Sequence, residues 1–198
     1  MQQKQYGIFS LPVIVGALGF FVDIYDLQVF IITRKASFAD LGVTEDAIQT
    51  TGESILGWQM IGLVIGGLIW GMLGDKKGRT SVLFGSIFLY SAATIANGFV
   101  QDISTYTILR FIAGLGLAGE LGASITLTSE MLPKEKRGLA AALIATSGVM
   151  GTIVAYFVLK LSDDWRLCYY IGGGMGLALL FLRMKVLDSS LYDSVKKG

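Results

Sequence analysis

Along the 198-residue chain, apolar stretches of about 20 residues alternate with short clusters of charge. The first stretch covers 8–32 and is interrupted only by Asp23 and Asp26; a mixed-charge loop from Arg34 to Thr51 follows. The second covers 54–73, where Gln59 is the one strongly polar side chain between Ile55 and Leu73. Gly71 to Arg79 then packs Asp75, Lys76, Lys77 and Arg79 between two apolar runs and reads as a hairpin loop. A third stretch covers 80–99 and ends at a Gln101-Asp102 turn. The fourth covers 105–128 and runs into the charged segment from Ser129 to Gly138. The fifth covers 139–161, and the sixth covers 165–186 after the turn Ser162-Asp163-Asp164. Charge-poor runs of this length cross a bilayer as helices, whereas a soluble bundle would carry a polar stripe on each helix. The pattern predicts an all-α, polytopic membrane protein in which residues 1–198 form one domain of six transmembrane helices.

Composition agrees on the solvent: 53% of residues are hydrophobic, 16% are charged and 26 are glycine. A formal net charge of +1 gives no basic surplus for nucleic acid. Cys168 is the single cysteine and there is no histidine, so neither a disulfide framework nor a zinc or haem site is expected. No metal or organic cofactor is expected either. Without a histidine base, a nucleophile elbow or a metal-ligand cluster, no catalytic residues stand out and the chain is not read as an enzyme. The first stretch is too long for a signal peptide and carries two acids where an apolar core would sit.

Lysines and arginines near the span ends set the orientation. With a cytoplasmic N-terminus, that side holds Lys4, Lys76, Lys77, Arg79, Lys134, Lys136, Arg137, Arg183, Lys185, Lys196 and Lys197. The other side holds only Arg34, Lys35, Lys160 and Arg166. Both termini are therefore expected to face the cytoplasm, with the chain in the cell membrane.

Ionisable residues inside spans carry the chemistry, because each costs about 2.5–3.5 kcal/mol at a helix centre and so faces a cavity or a partner. Asp23, Asp26, Arg110 and Glu120 are the candidates. Asp23 and Asp26, three apart, share one helix face. Asp26 and Arg110 lie at about the same depth, and two readings stand: a structural ion pair, or a pair that responds to substrate or proton. Glu120 is ten residues beyond Arg110, about 15 Å deeper, and cannot join that pair directly. Asp23 and Glu120 show no cationic partner in the sequence pattern, which makes them candidate proton carriers together with Asp26. Gln59 either bonds a neighbouring helix or lines a cavity.

Gly114-x-Gly116-x-x-Gly119 spells a dinucleotide fingerprint, yet it lies in an apolar helix with no preceding strand. It reads instead as a face for close helix approach, as do Gly62-x-x-x-Gly66, Gly67-x-x-x-Gly71 and the glycines from Gly172 to Gly176. Trp58, Trp70 and Trp165 read as interfacial anchors or lipid-facing bulk at least as readily as substrate contacts.

Four features in order resemble the major facilitator superfamily. They are the G-x-L-x-D-x-x-G-R pattern from Gly71 to Arg79, Arg110 in span four, Glu130-x-x-Pro133-x-x-x-Arg137-Gly138, and Trp165-Arg166 opening span six. Asp23-Ile24-Tyr25-Asp26 is similar to the first helix of proton-coupled phosphate and aromatic-acid symporters in that superfamily, and the Glu130 to Gly138 loop to its sugar-porter-like branches. The resemblance covers the N-terminal six-helix half and implies an inverted 3+3 repeat working by alternating access. It further implies a second six-helix half, either a missing C-terminal half or a second copy of this chain. On this reading the protein is half of a secondary transporter, a proton-coupled symporter of a small organic or inorganic anion driven by the proton gradient. A uniporter or sugar-type carrier, or a non-transporting membrane subunit, is the alternative. Arg110, Gln59 and Tyr25 are then substrate-binding candidates, and Gly71, Asp75, Gly78, Arg79, Glu130 and Arg137 form the gating loops.

Overall fold

The computed structural model describes residues 11–131 and 134–195, with side chains over 13–78, 81–120 and 138–185. Six α-helices follow one another: α1 Leu11–Asp40, α2 Ile48–Lys77, α3 Arg79–Asn97, α4 Ile103–Met131, α5 Lys134–Ser162 and α6 Trp165–Val195. A single 3₁₀ turn, Glu45–Ala47, precedes α2. By length and composition, α1, α2, α5 and α6 each hold a stretch able to cross a membrane, and α3 holds a shorter apolar helix over Ser81–Asn97.

Two stretches expected as loops are largely helix. α1 runs on past Arg34 and Lys35 to Asp40, because Phe38 is fully buried with its ring 6.2 Å from Phe30 and 6.4 Å from Tyr106. Gly42, at φ 75°, then ends the helix, with Val43 N–H donating to the Phe38 carbonyl at 2.9 Å. The Gly71 to Arg79 segment is not an extended hairpin loop either: α2 continues to Lys77 and α3 begins at Arg79. The break is Gly78 alone, whose φ of 85° suits glycine and whose N–H closes on the Gly74 carbonyl at 3.0 Å. At the opposite end, Asp102 caps α4 by accepting from the Thr105 N–H at 2.8 Å and the Thr105 hydroxyl at 2.7 Å, bonds that hold its carboxyl below the usual range.

The most extensive contacts are α2 against α4 and α1 against α5, followed by α3 against α4, α3 against α6 and α1 against α6. Exchanging α1, α2 and α3 for α4, α5 and α6 carries this set of neighbours onto itself, which is what a 3+3 repeat requires. The same chemistry recurs at the two largest crossings. A methyl on Gly62 or Gly66 of α2 would land on the Phe111 or Leu115 carbonyl of α4, and one on Gly151 of α5 on the Phe21 carbonyl of α1. A side-chain bond seals each: Trp70 Nε1 donates to the Leu115 carbonyl at 2.7 Å, and Ser147 Oγ to the Ala17 carbonyl at 2.8 Å. The fingerprint glycines do this work too, Gly114 against Gln59 and Gly116 and Gly119 against α3.

Polarity is distributed inside out. Val64 and Leu68 of α2 and Leu161 of α5 are well exposed, while Asp23, Asp26, Gln59, Thr94, Arg110 and Glu120 are buried. Only an apolar solvent makes that arrangement favourable. Of the tryptophans, Trp58 is exposed, but Trp165 is buried in the aromatic cluster with Tyr106 and Tyr169 rather than anchoring an interface.

Candidate functional site

The buried charges gather at two levels of the same four helices. Nearer the Asp40 end, α1 supplies Asp26, α3 Thr94, α4 Arg110 and α6 Tyr169. Arg110 Nη2 lies 3.5 Å from Asp26 Oδ1 and 3.5 Å from Thr94 Oγ1, and Nη1 donates to the Asp26 carbonyl at 3.4 Å. Thr94 Oγ1 donates to Asp26 Oδ1 at 2.5 Å. The guanidinium carbon sits 5.0 Å from the centre of the Tyr169 ring. The Tyr169 hydroxyl in turn meets those of Tyr106 and Thr33. The pairing of Asp26 with Arg110 expected from their depth is therefore present.

Toward the Gly78 end, Glu120 of α4 meets Arg183 of α6, with Nη2 2.6 Å from Oε1. The sequence pattern offers Glu120 no cation and places Arg183 among the flanking charges, whereas in the fold Arg183 is only 5% exposed and is the cation that Glu120 meets. The pair lies against Gly19 of α1, where a methyl would meet both side chains. Asp23, one helical turn beyond Gly19 on the same face, neighbours Glu120, and neither Asp23 oxygen has a hydrogen-bond partner among the described residues. Two ionised carboxylates offer each other only acceptors, so a bond between Asp23 and Glu120 closes when one of them holds a proton. Tyr90 of α3 completes this level beside Glu120.

Other candidates are placed elsewhere. Tyr25 is fully buried and its hydroxyl donates to the Cys168 carbonyl at 2.9 Å, a tie between α1 and α6. Gln59 is buried against Gly114, and its amide has no hydrogen-bond partner among the described residues. Gly71, Asp75 and Gly78 are exposed at the α2–α3 junction. The Arg79, Glu130 and Arg137 side chains lie outside the described residues, so the expected four-charge gating cluster has only Asp75 in view. Thr94, Tyr169 and Arg183 were missed. For Arg183 a signal existed: it falls 18 residues after Trp165, about 27 Å along the helix and still inside a span.

Residues 16–195 match the Major Facilitator Superfamily. The chain belongs to that family. It is 32% identical over 192 residues to the niacin transporter NiaP of Acinetobacter baylyi, with 93% of this chain and 42% of the relative covered. Against the sialic acid transporter NanX of Escherichia coli the identity is 30%, covering 87% of this chain and 42% of the relative. The benzoate transport protein of Acinetobacter baylyi is 29% identical, with 93% of this chain and 40% of that protein covered. The fold matches the proton:xylose symporter XylE at a TM-score of 0.75 and 19% identity, over 86% of this chain and 43% of that one. The chain thus spans less than half the length of these relatives, as the N-terminal six-helix half of a superfamily transporter and a multi-pass membrane protein.

Proposed function

We propose that the chain is half of a secondary transporter that moves a small organic or inorganic anion together with protons by alternating access. The observation that carries this reading is the buried polar core: Asp23, Asp26, Arg110, Glu120 and Arg183 are all 5% exposed or less, on three helices of an apolar bundle. Such a concentration of charge opposes insertion and is retained where ions or solutes pass. Arg110 supplies the contact for the anion, and benzoate, named for one relative, is of that class. Asp23 carries the proton, since Asp26 faces Arg110 and Glu120 faces Arg183. An anion that draws Arg110 from Asp26 removes positive charge from the face shared with Asp23, and the proton stays until the cavity opens to the other side. Gln59, a buried amide packed against Gly114, and Tyr25, tied to α6, are the further contacts proposed for the substrate. Asp75 with Arg79, Glu130 and Arg137 gates the cytoplasmic end, and a second six-helix half closes the cavity. Both termini face the cytoplasm.

The test separates coupling from binding. In proteoliposomes, Asp23→Asn abolishes accumulation driven by a proton gradient while exchange of labelled solute across the membrane continues. Undiminished accumulation with the same pH dependence would make Asp23 structural. Uptake by the unaltered protein that ignores the proton gradient would favour the uniporter.

A further inference from the structure

Arg110 is held unequally by its neighbours. Its polar contacts to Asp26 and Thr94 are 3.4 to 3.5 Å long, well beyond the roughly 2.7–2.9 Å of a charge-assisted hydrogen bond. Asp26 takes its short bond, 2.5 Å, from Thr94, so that carboxylate is anchored to α3 independently of the arginine. Arg110 Nε and Asp26 Oδ2 both lack a hydrogen-bond partner among the described residues, although both side chains are buried. The guanidinium carbon, by contrast, lies over the Tyr169 ring, 5.0 Å from its centre. That ring is itself fixed: Tyr169 is fully buried, its hydroxyl meets the Tyr106 hydroxyl, and Thr33 Oγ1 lies 3.2 Å away.

We propose that Tyr169 is the positioning residue for Arg110, its ring holding the guanidinium by a cation–π contact so that the N–H groups can leave Asp26 and take two oxygens of a carboxylate or phosphate-type oxyanion. The planar fork matches such an anion in a bidentate way, and a ring that attracts the cation holds it near the site without occupying an N–H. Thr94 keeps Asp26 in place when the arginine turns away. The inference rests on the anion reading above and adds to it the residue that orients the anion's contact.

The experiment measures KM and kcat for labelled nicotinate, benzoate and inorganic phosphate in proteoliposomes holding the full transporter chain. Tyr169→Phe keeps the ring and leaves KM within about threefold. Tyr169→Leu removes it, and KM rises by roughly 10–30-fold with kcat little changed, the scale of a desolvated cation–π contact. Trifluorophenylalanine at position 169 preserves shape while draining the ring's negative face, so KM rises above that of Tyr169→Phe; this arm holds even where the leucine variant fails to fold. Equal KM for phenylalanine and its trifluoro form would overturn the proposal, as would a Tyr169→Phe defect as large as that of Tyr169→Leu. Arg110→Ala is the separate control. If it leaves uptake intact, or if the unaltered protein takes up none of the three anions, the anion reading itself fails and the role of Tyr169 falls with it.

Discussion

Arg183 shows how one residue changes the meaning of its neighbours. Set 2.6 Å from Glu120 and against Gly19, it neutralises an acid that the sequence pattern leaves alone. Removing one partner of a buried pair strands the other charge, at a cost of about 3–5 kcal/mol, whereas removing both is far milder. Arg183→Gln should therefore lower the thermal stability of the detergent-purified protein by that order, and Glu120→Gln added to it should restore most of the loss. Two additive losses would show that the residues do not interact. The four ionisable positions first singled out were legible because charge in an apolar run is conspicuous. Arg183 carries the same signal more weakly, because near a span end such a residue also serves topology, and only the helix that brings it to Glu120 distinguishes the two uses. Thr94 and Tyr169 were silent for a different reason: neutral side chains in an apolar run carry no signal until their partners are known.

Helix existence was legible from hydropathy, but helix ends were not. Hydropathy locates the edge of the bilayer, whereas the packing of Phe38 carries α1 onward and Gly42 and Gly78, each at positive φ, decide where α1 and α2 stop. Of the two glycine faces expected on α2, Gly62 and Gly66 approach α4, whereas Gly67 and Gly71 face open space and that expectation is corrected, because the sequence could not say which side of α2 meets a helix. Gly66 lies against the Leu115 backbone; Gly67, its neighbour in sequence, has open space around it. A methyl at Gly66 must push two backbones apart, since carbonyl groups cannot swing away as a flexible side chain would. Gly66→Ala should destabilise the bundle by about 1–3 kcal/mol, while Gly67→Ala should be neutral or slightly stabilising because alanine favours helix. Thermal unfolding of the two variants side by side checks this; equal midpoints would mean that α2 and α4 have room for a methyl at Gly66.

At the scale of the whole molecule, the bundle is tied at the end where α1 finishes and α6 begins. Arg166 bonds Asp40, and its Nη2 donates to the Val100 carbonyl at 3.2 Å. Its guanidinium also lies over the Trp165 ring, while Trp165 Nε1 donates to Asp40 at 3.3 Å. One side chain thus joins α1, the α3–α4 connection and α6. An exposed ion pair alone contributes little, but the carbonyl bond and the ring contact raise the cost of separating these three segments. Alternating access requires one end of the bundle to open while the other stays closed, and a tie of this modest strength is of the size that shifts such an equilibrium. Cys168 is the single cysteine of these 198 residues, fully buried two residues beyond Arg166, and reports on this end in a protein where it is the one cysteine present. A membrane-impermeant maleimide should label it slowly in the unaltered protein. Arg166→Gln should raise the labelling rate by roughly tenfold, the effect of about 1.4 kcal/mol on the population of open molecules. On the orientation proposed above from the lysine and arginine bias, labelling should come from the side away from the cytoplasm. An unchanged rate would show that Arg166 does not hold this end closed, and labelling only from the cytoplasmic side would invert the orientation.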